Sequence, residues 1–126
     1  MANKTATLFQ GGRDPRGRPH VRYGLPGRMF PLHPRPYQSF EWGNRSTRAY
    51  ALAAAVLRAE LHVADPPPAL VRAFRDRMVC HWLPHGWAIS GRVVRETVAQ
   101  IEKELKRDEH CPGGCEDCTP GAPGER

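Results

Sequence analysis

The stretch His20-Val21-Arg22-Tyr23-Gly24-Leu25-Pro26-Gly27-Arg28-Met29-Phe30-Pro31-Leu32 decides the fold. Two short arms, His20 to Tyr23 and Arg28 to Leu32, flank Gly24-Leu25-Pro26-Gly27, where proline fixes one φ and the glycines tolerate positive φ, so the segment reads as a β-hairpin. Val21 and Tyr23 alternate with His20 and Arg22, and Met29 falls opposite Arg28 and Phe30, which predicts a half-exposed ribbon with arginine on its wet side. Upstream, Thr5 to Phe9 reads as one short strand ended by Gly11-Gly12, and Arg13 to Pro19 as loop built on Asp14-Pro15 and Gly17. Residues 1–17 are thus expected to be a flexible or partly extended segment ahead of a domain spanning 18–107.

Downstream, Pro31, Pro34 and Pro36 interrupt regular structure until Phe40-Glu41-Trp42-Gly43. Asn44 or Ser46 then serves as N-cap for a helix over Ala49 to Leu61, which is apolar nearly all round and so expected to be the most buried element. Asp65-Pro66-Pro67-Pro68 ends it, with Pro68 suited to the first turn of a second helix. In that helix Leu70, Val71, Phe74, Met78, Val79 and Trp82 recur at helical spacing, with Arg72, Arg75, Asp76 and Arg77 outward and Pro84 as the stop. Gly86 to Ile89 is a short strand or extended turn, and Ser90 caps a third amphipathic helix to about Arg107 through Val93, Val94, Val98, Ile101 and Leu105. Glu102 and Lys106 in it are spaced for an ion pair. Residues 108–126, rich in Cys, Gly and Pro, form a flexible tail. The expected class is α+β: an N-terminal hairpin, as a small antiparallel sheet, packed with three α-helices.

The segments Phe40-Glu41-Trp42-Gly43 and Leu83-Pro84-His85-Gly86-Trp87-Ala88-Ile89-Ser90, with Phe74 to Val79 and the Val93-Val94 helix, resemble a family of small prokaryotic and phage proteins known as domain of unknown function 6166. The similarity spans about Arg18 to Leu105. Where a Gly-rich segment would follow the Trp-Gly pair, this chain has Asn44-Arg45-Ser46-Thr47-Arg48. The resemblance implies no activity and no catalytic residue; it implies an accessory protein of a phage or mobile element.

Length and charge narrow the function classes. With 126 residues the chain suffices for one modest core. Its longest apolar run, Ala49 to Leu57, is far short of a bilayer crossing, and no basic-then-apolar leader opens it, so a cytoplasmic address with reduced cysteines is expected. The net charge of +6 is unevenly spread: residues 1–40 hold seven cations against Asp14 alone, 41–95 eight against four anions, and 96–126 four against eight. Of 19 cations 16 are arginine, whose planar fork suits phosphate, carboxylate and aromatic faces.

Candidate chemistry follows from these groups. Arg13, Arg16, Arg18, Arg22, Arg28 and Arg35 are interleaved with His20, Tyr23, Phe30, His33 and Tyr37; cations neutralise phosphates while rings stack on bases. The binding set for an anionic partner is therefore Arg13, Arg16, Arg18, Arg22, Tyr23, Arg28 and Arg35, and the expected function is non-enzymatic binding of nucleic acid or a nucleoprotein complex. The rival is an inhibitor or adaptor that docks an acidic protein surface through the same arginines. Cys111, Cys115 and Cys118 have the spacing of a metal knuckle, with Cys80, His81 or His85 as fourth zinc ligand; a reduced unstructured tail, a disulfide or an iron–sulfur cluster are the other readings. His81 and His85 are four apart, but Pro84 breaks the helix between them. Glu41 beside Trp42 is either a general acid in an apolar pocket or, the favoured reading, a partner for a backbone amide. Ser39, Ser46 and Ser90 lie in no nucleophile turn, no phosphate loop is present, and Trp42, Trp82 and Trp87 read as core or pocket walls.

Overall fold

The computed structural model describes residues 7–110. Four strands, β1 (Leu8–Arg13), β2 (Pro19–Leu25), β3 (Arg28–Leu32) and β4 (Gly86–Ser90), form one antiparallel sheet in the order β3-β2-β1-β4. Three helices, α1 (Thr47–Leu61), α2 (Pro68–Arg77) and α3 (Gly91–His110), complete an α+β fold. Among the described residues no helix is long and apolar enough to cross a membrane.

The hairpin forms as its turn chemistry demands. Val21 pairs with Leu32 and Tyr23 with Phe30, down to Leu25 opposite Arg28, so the loop is Pro26-Gly27 alone, with Gly27 at φ +84°. Pro31 is tolerated within β3 because β3 is an edge strand and need not donate at every position. The loop between β1 and β2 closes on Asp14, whose Oδ1 accepts from the amides of Arg16 and Arg18 at 2.9 Å each.

Two expectations at the N-terminus are corrected. β1 does not stop before Gly11-Gly12 but runs through both to Arg13. It also lies inside the sheet, with Phe9 opposite Tyr23 on one side and Ile89 on the other, so the folded body begins well before residue 18. The physical reason is Trp87: a Cβ on Gly11 would lie 2.2 Å from the indole Cε2, so the missing side chain is the space the ring occupies.

Phe9, Val21 and Ile89 from the sheet meet nearly all of α1 between Ala49 and Leu57, with Leu70, Val71 and Phe74 of α2 and Val94, Val98 and Ile101 of α3. Ser46 caps α1, accepting from the Ala49 amide at 3.2 Å, and Asn44 Oδ1 accepts from the Ser46 hydroxyl at 2.6 Å. Pro68 opens α2, and Ser90 caps α3 by accepting from the Val93 amide. The second helix ends earlier than its spacing implied, at Arg77; Val79 to His81 form a 3-10 turn, in which the Val79 carbonyl accepts from the Gly43 and Trp82 amides. Val93 is exposed rather than inward, and Glu102–Lys106 is not among the ion pairs of the described residues; α3 instead bonds α2 through Arg77 and Glu104.

Candidate functional site

Because side chains alternate across a strand, the register sorts the sheet into two faces. Phe9, Val21 and Ile89 point to the helices, while Gln10, His20, Arg22 and Ala88 point away and are exposed. On this outer face Gln10 lies opposite Arg22, and Gly12 lies opposite both His20 and Gly86. The paired glycines lower the surface, and a depression of about 260 Å³ is lined by Gln10, Gly11, Gly12, His20, Arg22 and Trp87. None of the four strands contains an aspartate or glutamate. The face therefore has a cation, a histidine and an amide as its recognition groups, with no carboxylate of its own strands to compete.

The arginines expected to act together are divided by the fold. Arg16, Arg18, Arg22 and Arg28 are exposed and make no ion pair among the described residues. Arg13 is turned inward: Nη2 meets Glu41 Oε1 at 2.5 Å, Nε donates to the Pro84 carbonyl at 2.8 Å, and the guanidinium lies 4.6 Å from the Trp42 ring centroid. Arg35 donates to the Ala64 carbonyl at 2.9 Å and reaches Asp65 at 3.3 Å. Tyr23 is not an outward stacking platform, since its ring stacks on Phe9 at 4.4 Å and its hydroxyl donates to the Ala59 carbonyl of α1. Burial, followed by the Glu60 charge, raises its pKa. The aromatic group the hairpin does expose is Phe30, at 63%.

Arg13 belongs to an aromatic cluster beneath one end of the sheet. Trp82 stacks on Trp87 at 3.8 Å, and Trp42 meets Trp87 edge-on at 5.8 Å. Trp42 is buried with its indole N–H donating to the Leu83 carbonyl at 2.9 Å. The cluster thus ties the 40–43 segment, through Trp82 and Trp87, to the start of the 83–90 segment, two of the stretches that carried the family resemblance. Glu41 accepts from the Trp42 amide at 3.1 Å as well as from Arg13. Burial pushes its pKa up, but the Arg13 and Trp42 hydrogen bonds and the charges of Arg13 and Arg48 prevail, so the carboxyl is held below its ordinary value. The backbone partner expected for Glu41 is thus present in the Trp42 amide.

The sequence profile of a family of unknown function, DUF6166, matches residues 9–100, well over half the chain. This chain belongs to that family. The match starts at Phe9, within β1, rather than near Arg18, and so takes in the strand at the centre of the sheet, its outer-face residues and the tryptophan cluster. No curated protein and no solved structure matches the chain significantly.

The remaining polar groups are internal. Glu60, on the helix read as apolar nearly all round, is buried with its side chain 4% exposed; it pairs with Arg95 of α3 and accepts from the Thr7 hydroxyl at 2.9 Å. The sequence signal for it was one carboxylate in a helix otherwise lacking acids, on the same stripe as Val56 and Leu57. Gly91 is required beside it, because a Cβ there would lie 1.9 Å from Thr7 Oγ1. As for metal, no group of three potential ligands occurs among the described residues. Cys80 donates its thiol to the Asp76 carbonyl at 3.0 Å, and His81 and His85 are exposed. Cys111, Cys115 and Cys118 lie outside the described residues.

Proposed function

We propose that the protein acts by binding, and that the outer face of its sheet, flanked by the β1–β2 loop and the hairpin tip, engages nucleic acid. The observation that carries this reading is a strand surface with Arg22, His20 and Gln10 around a depression and no acidic residue in any strand. Arg16 and Arg18, in the β1–β2 loop and at its end, extend the cationic track beyond the strands, and Arg28 adds an exposed cation at the hairpin tip. Each phosphate neutralised releases counterions, which gives such binding a steep salt dependence. Gln10 and His20 add hydrogen-bonding groups that reach bases or sugar hydroxyls. Arg13 and Tyr23 leave the contact set, since each is held by the protein's own groups, and Arg35 leaves it because it sits at the α1–α2 connection, away from the strands.

Anisotropy titrations with short single- and double-stranded DNA and RNA, repeated over a range of salt, test the proposal. Affinity should fall steeply with salt, and Arg22→Ala should lower the slope of log K against log salt by about 1. Absence of binding to all four polymers at low salt would sink it, and the arginines would then be assigned to an acidic protein surface.

A further inference from the structure

A second cationic site lies away from the strands, where the segment after β3 crosses α1 and the α1–α2 connection. There Arg35, Arg58 and Asp65, with Gln38 and Tyr50, line a cavity of about 290 Å³ whose remaining wall is apolar, from Ala54, Pro66 and Val71. The size is close to the lower end, roughly 300 Å³, of pockets that hold small organic ligands.

The charges in it do not balance. Arg35 spends Nη2 on the Ala64 carbonyl and on Asp65, whose side chain is 81% exposed, so the pairing with Asp65 is weak in water. Arg58 makes no ion pair and no hydrogen bond among the described residues, although it is only partly exposed. Partial burial and the Arg35 charge both act against the charged form of Arg58, with Asp65 opposing them. Because a guanidinium does not give up its proton, the cavity keeps two cations against the one carboxylate of Asp65, and a further anion would balance them.

The donor set indicates which anion. Asp65 already offers one carboxylate to the two guanidinium forks, whereas a phosphate adds a second charge and three terminal oxygens that Arg35 and Arg58 can share. The apolar wall offers nothing to a free inorganic ion but suits a carbon substituent on a fourth oxygen. We propose that this cavity binds a phosphate monoester, its terminal oxygens between Arg35 and Arg58 and its organic group against Ala54, Pro66 and Val71. The site is independent of the sheet face.

Calorimetric titration of the full chain at fixed ionic strength, with inorganic phosphate and with phenyl phosphate, tests this. Both should bind, phenyl phosphate about tenfold more tightly because its ring covers apolar wall. Arg58→Met keeps the aliphatic stem, removes the charge, and should weaken either probe at least tenfold; Arg35→Met should act likewise as a second variant. Arg22→Ala should leave both affinities unchanged, which separates failure here from failure of the nucleic-acid reading. Lack of binding by either probe, or unchanged affinity in both methionine variants, overturns the site. Equal affinity for the two probes overturns the ester assignment.

Discussion

The guanidinium of Arg13 withdraws one charge from the surface that the N-terminal third of the chain would otherwise present. It does so because Glu41, the Pro84 carbonyl and the Trp42 face together offer a carboxylate, an acceptor and a π-surface in one place. The pair makes stability depend on pH with a definite sign. The folded-state pKa of Glu41 is depressed, so its contribution is fully present above the unfolded value of about 4.3 and is lost as pH falls through the lower folded value. Urea midpoints measured from about pH 5 downward should therefore fall less steeply for Glu41→Gln than for the parent chain. Identical slopes would remove the linkage. Sequence reading found Glu41 beside Trp42 and chose backbone hydrogen bonding correctly, but it could not find Arg13 as the partner. The two residues are joined only by tertiary packing, and an arginine at the end of a short strand carries no mark of the carboxylate it will meet.

At the level of elements, β1 shows how far local pattern can mislead. Gly11-Gly12 reads as a break by propensity, since glycine in a strand forfeits side-chain packing and costs backbone entropy. The strand persists because Trp87 of β4 occupies the volume above Gly11, and a sequence window around either residue contains no trace of the other. Gly11→Ala should accordingly destabilise by about 1–3 kcal/mol through forced movement of the indole, seen as a lower denaturation midpoint with altered tryptophan fluorescence. An alanine variant as stable as the parent would show that the ring does not depend on that space. The helices were legible for the opposite reason. Ser46, Pro68 and Ser90 each begin a helix through contacts within the same few residues, and the apolar stripes of α1 and α2 repeat at 3.6-residue spacing. The early end of α2 was not legible: the chain passes at Met78 into the 3-10 turn, whose Val79 carbonyl is shared by Trp82 and by Gly43 from far upstream.

For the whole molecule, the central position of β1 has a test of its own. Removing residues 1–17 deletes the strand that joins β2 to β4, along with Phe9 and the Thr7 contact to Glu60. The shortened chain should lose its cooperative thermal transition, whereas an N-terminal segment lying outside the body could be cut away at little cost. A sharp transition in calorimetry near that of the full chain would place the strand outside the cooperative unit. The charge asymmetry read from composition survives folding in reduced form: Arg16, Arg18, Arg22 and Arg28 stay outward, while Arg13 is turned inward onto Glu41 and the exposed Arg35 leans on the Ala64 carbonyl. Composition counts charges, but only the fold decides which of them water still sees.

The placement of Pro31 reaches beyond the isolated molecule. An open sheet invites neighbouring copies to extend it, and β3 and β4 are the two margins where that would happen. The prolyl nitrogen leaves a gap in the row of amide protons along the β3 margin, so a stranger's backbone finds an incomplete template there. End-to-end stacking into fibrils needs two receptive margins, and this protein has kept at most one.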